Sequence, residues 1–277
     1  MAPTIPPLTR AQLAHVRSLL QDKRARQADG AFVVEGAKAV RDLLALHSRL
    51  VLSLVTTPEY RRSENPADRR LRESVTCPIR SCSESSFASL SDVESPQGIL
   101  AIVRQPLWKE EAIFAQSSMF GIYGERIQDP LNVGTMIRTA AALNVTALWL
   151  TADSADQYHP KTVRATGGAL IMLPVFSVRD VDEFVRRGCS VYTAEAGSPE
   201  AMTLDTIRQV PQRLVLAVGN EGQGLSSSTR KQAACRFTIP LSRRMESLNV
   251  ASTVAIAAYY LGSLPKAAPA NTDVSTV

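Results

Sequence analysis

Ser247-Leu-Asn-Val250 opens a run of small and apolar residues, 251–261, with the pattern of a buried helix. Two upstream stretches share this character: Asn132-Val-Gly-Thr-Met-Ile-Arg138 and Gly219-Asn-Glu-Gly-Gln-Gly-Leu225. Each follows a short apolar run and leads into helical spacing, so each sets polar groups at the carboxyl end of a strand. Ligands of open parallel sheets bind at those ends. Three such junctions in one half of a chain imply one composite site. Taken singly, each junction reads first as a tight turn that needs glycine for its conformation. The Gly219 stretch is neither a GxGxxG fingerprint nor a P-loop.

The surrounding pattern gives the fold class. A strand at 119–123, a loop at the Asn132 stretch, a helix at 135–143 and a strand at 147–150 form a βαβ unit, hence a parallel sheet with helices on its faces. Further strands are expected at 191–193, 214–218 and 236–239. Upstream, a helix at 8–27 precedes a strand ending at Gly36, a helix at 37–46, a strand at 50–55, a charged helix at 65–73 and a strand at 99–103. This is a second α/β pattern. The expected domains are 1–104 and 119–263, joined by a polar linker at 105–118 and followed by a disordered Ala/Pro/Thr-rich tail at 264–277.

The chain has 277 residues, 45% of them hydrophobic, which is ample for packed cores. No apolar stretch reaches the roughly 20 residues of a membrane span. With Pro3, Pro6 and Pro7 and no apolar core segment, no signal peptide is expected. Cys77, Cys82, Cys189 and Cys235 read as reduced thiols of a cytoplasmic protein, and without accompanying histidines they give no metal site.

The net charge is +5, and residues 1–107 carry most of it, with 15 Lys and Arg against 11 Asp and Glu. Such an excess is ordinary solvated surface unless the cations cluster. Lys23, Arg24 and Arg26 do cluster, as do Arg61, Arg62, Arg69, Arg70 and Arg72, and phosphate contacts require such clusters. Lys161 and Arg164 follow a loop and are placed to meet an anionic substrate or to sit on a solvated face. His159 reads as structural. Arg138 lies beside Ala140, Ala141 and Ala142 on a helix expected to pack tightly, so it needs a partner, for which Glu221 is available. Asn249 is placed to cap the last helix; capping by Ser247 instead would free the Asn249 amide for a ligand.

The ordered triple Asn-x-Gly-x-x-x-Arg, Gly-x-Glu-x-x-Gly-Leu and Ser-Leu-Asn-Val resembles the three motifs of the SpoU (TrmH-like) RNA 2′-O-ribose methyltransferases of the knotted SPOUT superfamily. The match spans about 120–262. Phe32-Val-Val-Glu-Gly36 and Pro96-Gln-Gly-Ile99 resemble the opening and close of the family's small ribosomal-protein-like RNA-binding domain. The resemblance implies an α/β chain in which that domain precedes a parallel-sheet methyltransferase domain with a trefoil knot. It further implies a homodimer whose site draws on both subunits, and S-adenosylmethionine bound in a bent form without metal. Carried over by position, Gly219, Ile239 and Leu248 line the adenosine pocket, with Thr193, Ala194, Asn220, Leu241 and Ser247 completing its walls. Arg138, Glu221, Asn249 and Asn132 fall at catalytic positions. The chain departs from the family at Ala165-Thr-Gly-Gly-Ala169, where many relatives have Ala-Ser-x-Gly-Ala.

The implied reaction is methyl transfer to a ribose hydroxyl of RNA, with ribosomal RNA placed ahead of transfer RNA because a separate RNA-binding domain is present. The competing class is a ribosome-assembly or RNA-binding factor that keeps the fold without turnover. Intact Arg138, Glu221 and Asn249 speak against that reading.

Overall fold

The computed structural model describes residues 5–268 except 199, 243 and 244. Contacts divide the chain into two compact units: 1–107 with 156–171, and 108–155 with 172–277.

The first unit begins with α1 (Arg10–Gln21) and α2 (Lys23–Asp29). The amphipathic pattern at 8–27 suggested one helix, but Asp22 is extended and its carboxylate accepts the Arg24 N–H at 2.8 Å, so one helix ends there and another starts. Then follow β1 (Ala31–Glu35), α3 (Ala37–His47), β2 (Val51–Thr56), α4 (Pro58–Ser63), α5 (Pro66–Ser74), β3 (Ile79–Ser81), α6 (Glu84–Ala88) and β4 (Ile99–Arg104). The sheet order is β1-β4-β2-β3, with β4 antiparallel to both neighbours and β2 parallel to β3. Val16 and Leu19 of α1 bury against Val33, Val55, Leu100 and Ile102 of the sheet. The chain does not loosen after β4: the Gln105 N–H bonds the Gly30 carbonyl at 2.7 Å.

The second unit opens with α7 (Glu110–Phe114), inside the stretch expected as a linker, and buries Ile113 and Phe114 in its core. β5 (Met119–Gly124), α8 (Pro130–Ala142) and β6 (Ala147–Thr151) make the βαβ unit. Residues 156–171, carrying α9 (Pro160–Thr166), group with the first unit. There the Phe32 and Tyr158 rings lie 5.0 Å apart, and Arg26 meets Asp156 at 2.7 Å. The second unit resumes with β7 (Val175–Val178), α10 (Asp182–Arg186), β8 (Ser190–Ala194), β9 (Met202–Thr203), β10 (Arg213–Val218), α11 (Ser227–Lys231), β11 (Ala233–Thr238) and α12 (Val250–Ser263).

Its sheet runs β7-β6-β5-β10-β8-β11-β9, and every pairing is parallel. Such a sheet is buried on both faces, which explains the unbroken apolar runs of β5, β6 and β10. Trp149, Tyr123 and Phe184 fill one side, and the Trp149 indole N–H donates to Glu110 at 2.5 Å. The chain winds outward from β5 through β6 to β7, then crosses to β8 on the far side of β10. That reversal is a topological switch point, where parallel sheets open a crevice at their strand ends.

After α12 the chain does not run free. Lys266 bridges to Val210, with the Val210 N–H on the Pro265 carbonyl at 3.0 Å and the Ala267 N–H on the Val210 carbonyl at 2.8 Å. The rest of the expected disordered tail, 269–277, lies outside the described residues. No helix among the described residues is long and apolar enough to cross a membrane.

The Arg26–Asp156 pair sets a test of the first unit. Arg26 is almost wholly buried, and its guanidinium also donates to the Leu19 carbonyl at 2.7 Å. Arg26→Ala leaves the Asp156 charge nearly dry, which should cost about 3 kcal/mol. Urea unfolding followed by far-ultraviolet circular dichroism checks it; a loss below about 1 kcal/mol would class the pair with exposed ones.

Candidate active site

β10 ends in a loop, 219–225, whose shape follows from Gly219. A Cβ on Gly219 would lie 2.3 Å from the Gly224 carbonyl carbon and 2.4 Å from the Leu225 nitrogen, so the loop folds directly back onto its own start. Asn220 holds the reversal. Its carbonyl accepts the Gly224 N–H at 2.8 Å, and its side-chain oxygen accepts the N–H groups of Gly222 at 2.9 Å and Gln223 at 3.0 Å. Taken singly, this stretch reads as a tight turn that needs glycine, and Gly219 does make room for the loop's own backbone.

Beside this loop, residues 239–248 lead from β11 to α12 with almost no internal backbone pairing. Among the described residues the one such bond within them is from the Met245 N–H to the Ser242 carbonyl, at 3.3 Å. The two loops and the end of β8 enclose a cleft of about 340 Å³. Gly219, Ile239, Leu248, Ala194, Asn220, Leu241 and Ser247 all line it. Thr193 does not: it is fully buried, and its hydroxyl donates to Glu195 at 3.0 Å.

At the edge of the cleft runs a chain of three side chains. Asn249 is the N-cap of α12, its side-chain oxygen accepting the Ala251 and Ser252 N–H groups at 2.9 and 3.3 Å. This fixes the amide orientation, so Asn249 Nδ2 donates to Asn132 Oδ1 at 2.9 Å, and Asn132 Nδ2 donates to Glu221 Oε1 at 2.5 Å. A backbone donor pair at one end and a carboxylate at the other dictate the direction of every bond. Ser247 does not cap, and the Asn249 amide is not free. Asn132, expected in a loop, sits in the first turn of α8, where Pro130 occupies a position that needs no N–H and Asp129 caps.

Arg138 lies elsewhere. Six positions beyond Asn132 it occupies another face of α8, exposed, and no hydrogen bond or ion pair joins it to Glu221 among the described residues. The expectation of a tightly packed surrounding fails because only Ala140 of the three alanines is buried, while Ala142, one turn beyond Arg138, is exposed with it.

The basic candidates divide. Lys23, Arg24 and Lys161 are exposed. Arg26 is buried against Asp156 and cannot reach a phosphate, which corrects its assignment as an RNA contact. Arg164 is neutralised by Asp92 in a two-pronged pair at 2.7 and 2.9 Å. His159 is structural: it caps α9, its Nδ1 accepting the Lys161 N–H at 3.2 Å. Burial, then the nearby Arg26 charge, holds its pKa below the usual imidazole value, which keeps that nitrogen free to accept.

The sequence offered no sign of Glu195 or Arg230, which also line the cleft. Burial alone would push the Glu195 pKa up, but Arg236 at 2.8 and 2.9 Å, the Thr193 hydroxyl and the Arg230 charge together bring it below the usual carboxylate value. Glu195 is thus a charged wall of the cleft, anchored from behind.

Residues 119–259 match the SpoU rRNA Methylase family, and residues 14–101 match the MRM3-like substrate binding domain. The chain belongs to the SpoU rRNA methylase family. A Bacillus subtilis relative, 23S rRNA (guanosine(2553)-2′-O)-methyltransferase RlmP, is 32% identical over 87% of this chain and 92% of its own length. The structure of the SpoU methyltransferase AviRb from Streptomyces viridochromogenes in complex with AdoMet superposes with a TM-score of 0.79 at 25% identity, covering 91% of this chain and 97% of that one. An AdoMet-bound rRNA methyltransferase from Sinorhizobium meliloti gives a TM-score of 0.77 at 25% identity, over 92% and 95% of the two chains. The SpoU match covers all three motif stretches, and the substrate-binding match covers most of the first unit before β4 ends.

The directed chain from Asn249 to Glu221 gives a test. Asn249→Asp keeps the cap acceptor but sets carboxylates at both ends of the Asn132 amide, which has one donor end. Above the carboxylate range this should cost about 1–3 kcal/mol. The folded state favours the protonated form of the new carboxyl, so its folded pKa is raised and the penalty should fade as pH drops below the carboxylate range. Chemical denaturation across pH checks it; a penalty that persists at low pH would break the assigned direction of the chain.

Proposed function

We propose that this chain transfers a methyl group from S-adenosylmethionine to a ribose 2′-hydroxyl of ribosomal RNA, in the cytoplasm and as a homodimer. The observation that carries the reading is the Asn249–Asn132–Glu221 chain at the rim of a cleft walled by the second and third motif stretches, which Asn132 of the first stretch joins through Glu221. The named activities of the SpoU relatives agree with it.

The cleft fits the cofactor chemically. Val218, Ile239 and Leu248 offer apolar surface for a planar base, and the sparsely paired backbone of the described residues of 239–248 offers donors and acceptors for its edge. Glu195, Glu221 and Glu246 supply carboxylates suited to the positively charged sulfonium and ammonium end. The bound cofactor supplies an electrophilic methyl group. The same reading takes 219–225 and 239–248 as the loops of a trefoil knot, consistent with their sharing one cleft.

For the transfer, the ribose hydroxyl must lose its proton as its oxygen attacks carbon. In this reading Asn132 and Asn249 hold Glu221 in place at the rim. Arg138 orients the hydroxyl and the neighbouring phosphate; a guanidinium, a planar fork of N–H donors with no acceptor, is suited to polarising and charge stabilisation more than to proton removal. The exposure of Arg138, turned from its own chain's Glu221, supports a role for it in the cleft of a second copy. Exposed apolar Leu131 on α8, and Ile256 and Tyr259 on α12, support a partner against these helices. Residues 1–104 are read as the RNA-binding part.

Arg138→Ala should slow methyl transfer to ribosomal RNA by at least ~100-fold. Calorimetric affinity for S-adenosylhomocysteine, measured without added metal, should stay unchanged. Near-normal turnover would remove Arg138 from the site. Mapping ribose methylation in ribosomal RNA from cells with and without this protein tests the substrate class and identifies the nucleotide.

Lys23→Ala with Arg24→Ala should weaken RNA binding and flatten its salt dependence by roughly 0.7–0.9 log units per lost phosphate contact. An unchanged slope in filter binding from low to high salt would return both residues to ordinary solvated surface.

A further inference from the structure

Arg126 breaks two rules of protein structure at once. Its φ is 57°, in the left-handed region that residues with a Cβ avoid, and only Asn144 shares this among the described non-glycine residues. Asparagine tolerates that region; arginine has no such dispensation. Its Nε is also buried without a hydrogen-bond partner. Neither feature follows from packing, since nothing in the turn between β5 and α8 requires a long side chain.

The contacts of Arg126 show what the local strain maintains. Its N–H donates to Thr151 Oγ1 at 2.8 Å, which anchors the turn to the end of β6. Everything else reaches the 219–225 loop or its support. The Arg126 carbonyl accepts from Asn220 Nδ2 at 3.0 Å. The guanidinium donates through Nη1 to Gln223 Oε1 and through Nη2 to the Gly224 carbonyl, both at 3.2 Å. Glu125 stands 3.7 Å from Nη2 and is itself buried, accepting from Thr229 Oγ1 at 2.7 Å and the Ser226 N–H at 3.2 Å. Arg126 does not line the cofactor cleft. It lines a separate one, with Thr151, Asp153 and Asp180, and acts on the cofactor cleft only through the loop between them.

We propose that Arg126 is a positioning residue: a two-pronged clamp that holds loop 219–225 in its cofactor-receiving shape, maintained against local backbone strain. The inference rests on the reading of the cleft as the S-adenosylmethionine site. A loop held in its bound shape before the ligand arrives saves the ordering cost on binding, so the clamp acts on affinity. The fork geometry explains the choice of arginine, because one ammonium cannot span an amide oxygen and a carbonyl of successive residues.

A merely structural arginine and a positioning clamp predict different behaviour of Arg126→Gly. Glycine removes the clamp and relieves the left-handed strain together. The melting temperature of the ligand-free protein should hold or rise, while S-adenosylhomocysteine affinity by calorimetry should fall about tenfold. Arg126→Lys, which keeps the charge and one prong, should fall between wild type and Arg126→Gly. Equal affinity of wild type and Arg126→Gly would overturn the clamp, and so would affinity and ligand-free stability falling in parallel. If the wild-type protein itself fails to bind S-adenosylhomocysteine, the reading of the cleft fails first and the clamp with it.

Discussion

The geometry at the end of β10 depends on one absent atom. Gly219 lets the Gly224–Leu225 backbone approach closer than any Cβ would permit. Because the loop doubles back there, Glu221 is carried to the rim, where Asn132 meets it, and Asn220 is turned to grip both the loop and Arg126. An opened loop would withdraw one wall of the cleft and break the link between α8 and α12 that runs through Asn132 and Asn249. The all-parallel sheet supplies the frame, since the winding reversal beside β10 leaves a crevice at this strand end.

Much of this was legible in the sequence, for a physical reason. Glycine where backbones touch and asparagine where helices start are local demands, and local demands leave local marks. The three stretches were read as one site, and the structure brings residues from each together. The elements at 32–36, 37–46, 99–103 and 147–150 likewise carry their own periodicity. What was misread depends on distant partners. Arg26 looked like one of three free cations because Asp156, which neutralises it, lies 130 residues away in sequence. Asn132 looked like a loop residue because Pro130 and Gly134 resemble helix breakers. Proline is harmless in a first turn, and Gly134 is buried where tight packing accepts it. The break at Asp22 was masked by an apolar pattern that continues across it. The short β3, β7 and β9 carry too few residues to show a period.

Charge counting suffered most. Within the basic excess of the first 107 residues only the clustered cations pointed to phosphate contacts, and the structure occupies some of those internally. Arg72 is buried against Glu64 at 2.9 Å, and Arg61 donates to Thr56 and Ser81. Lys23 and Arg24 stay exposed, as do Arg62, Arg69 and Arg70.

The placement of the two tryptophans decides what an optical experiment on this protein can see. Trp149 is wholly enclosed in the second unit's core and Trp108 is partly exposed at that unit's start, while the first unit contains none. Indole emission is therefore blind to the 1–107 sheet. A fluorescence melt reports when Trp149 reaches water, and if the two units open at different denaturant concentrations, the curve will look like a single clean transition although half the molecule has changed state unseen. Backbone circular dichroism, or a tryptophan introduced near Phe32, is needed for the other half.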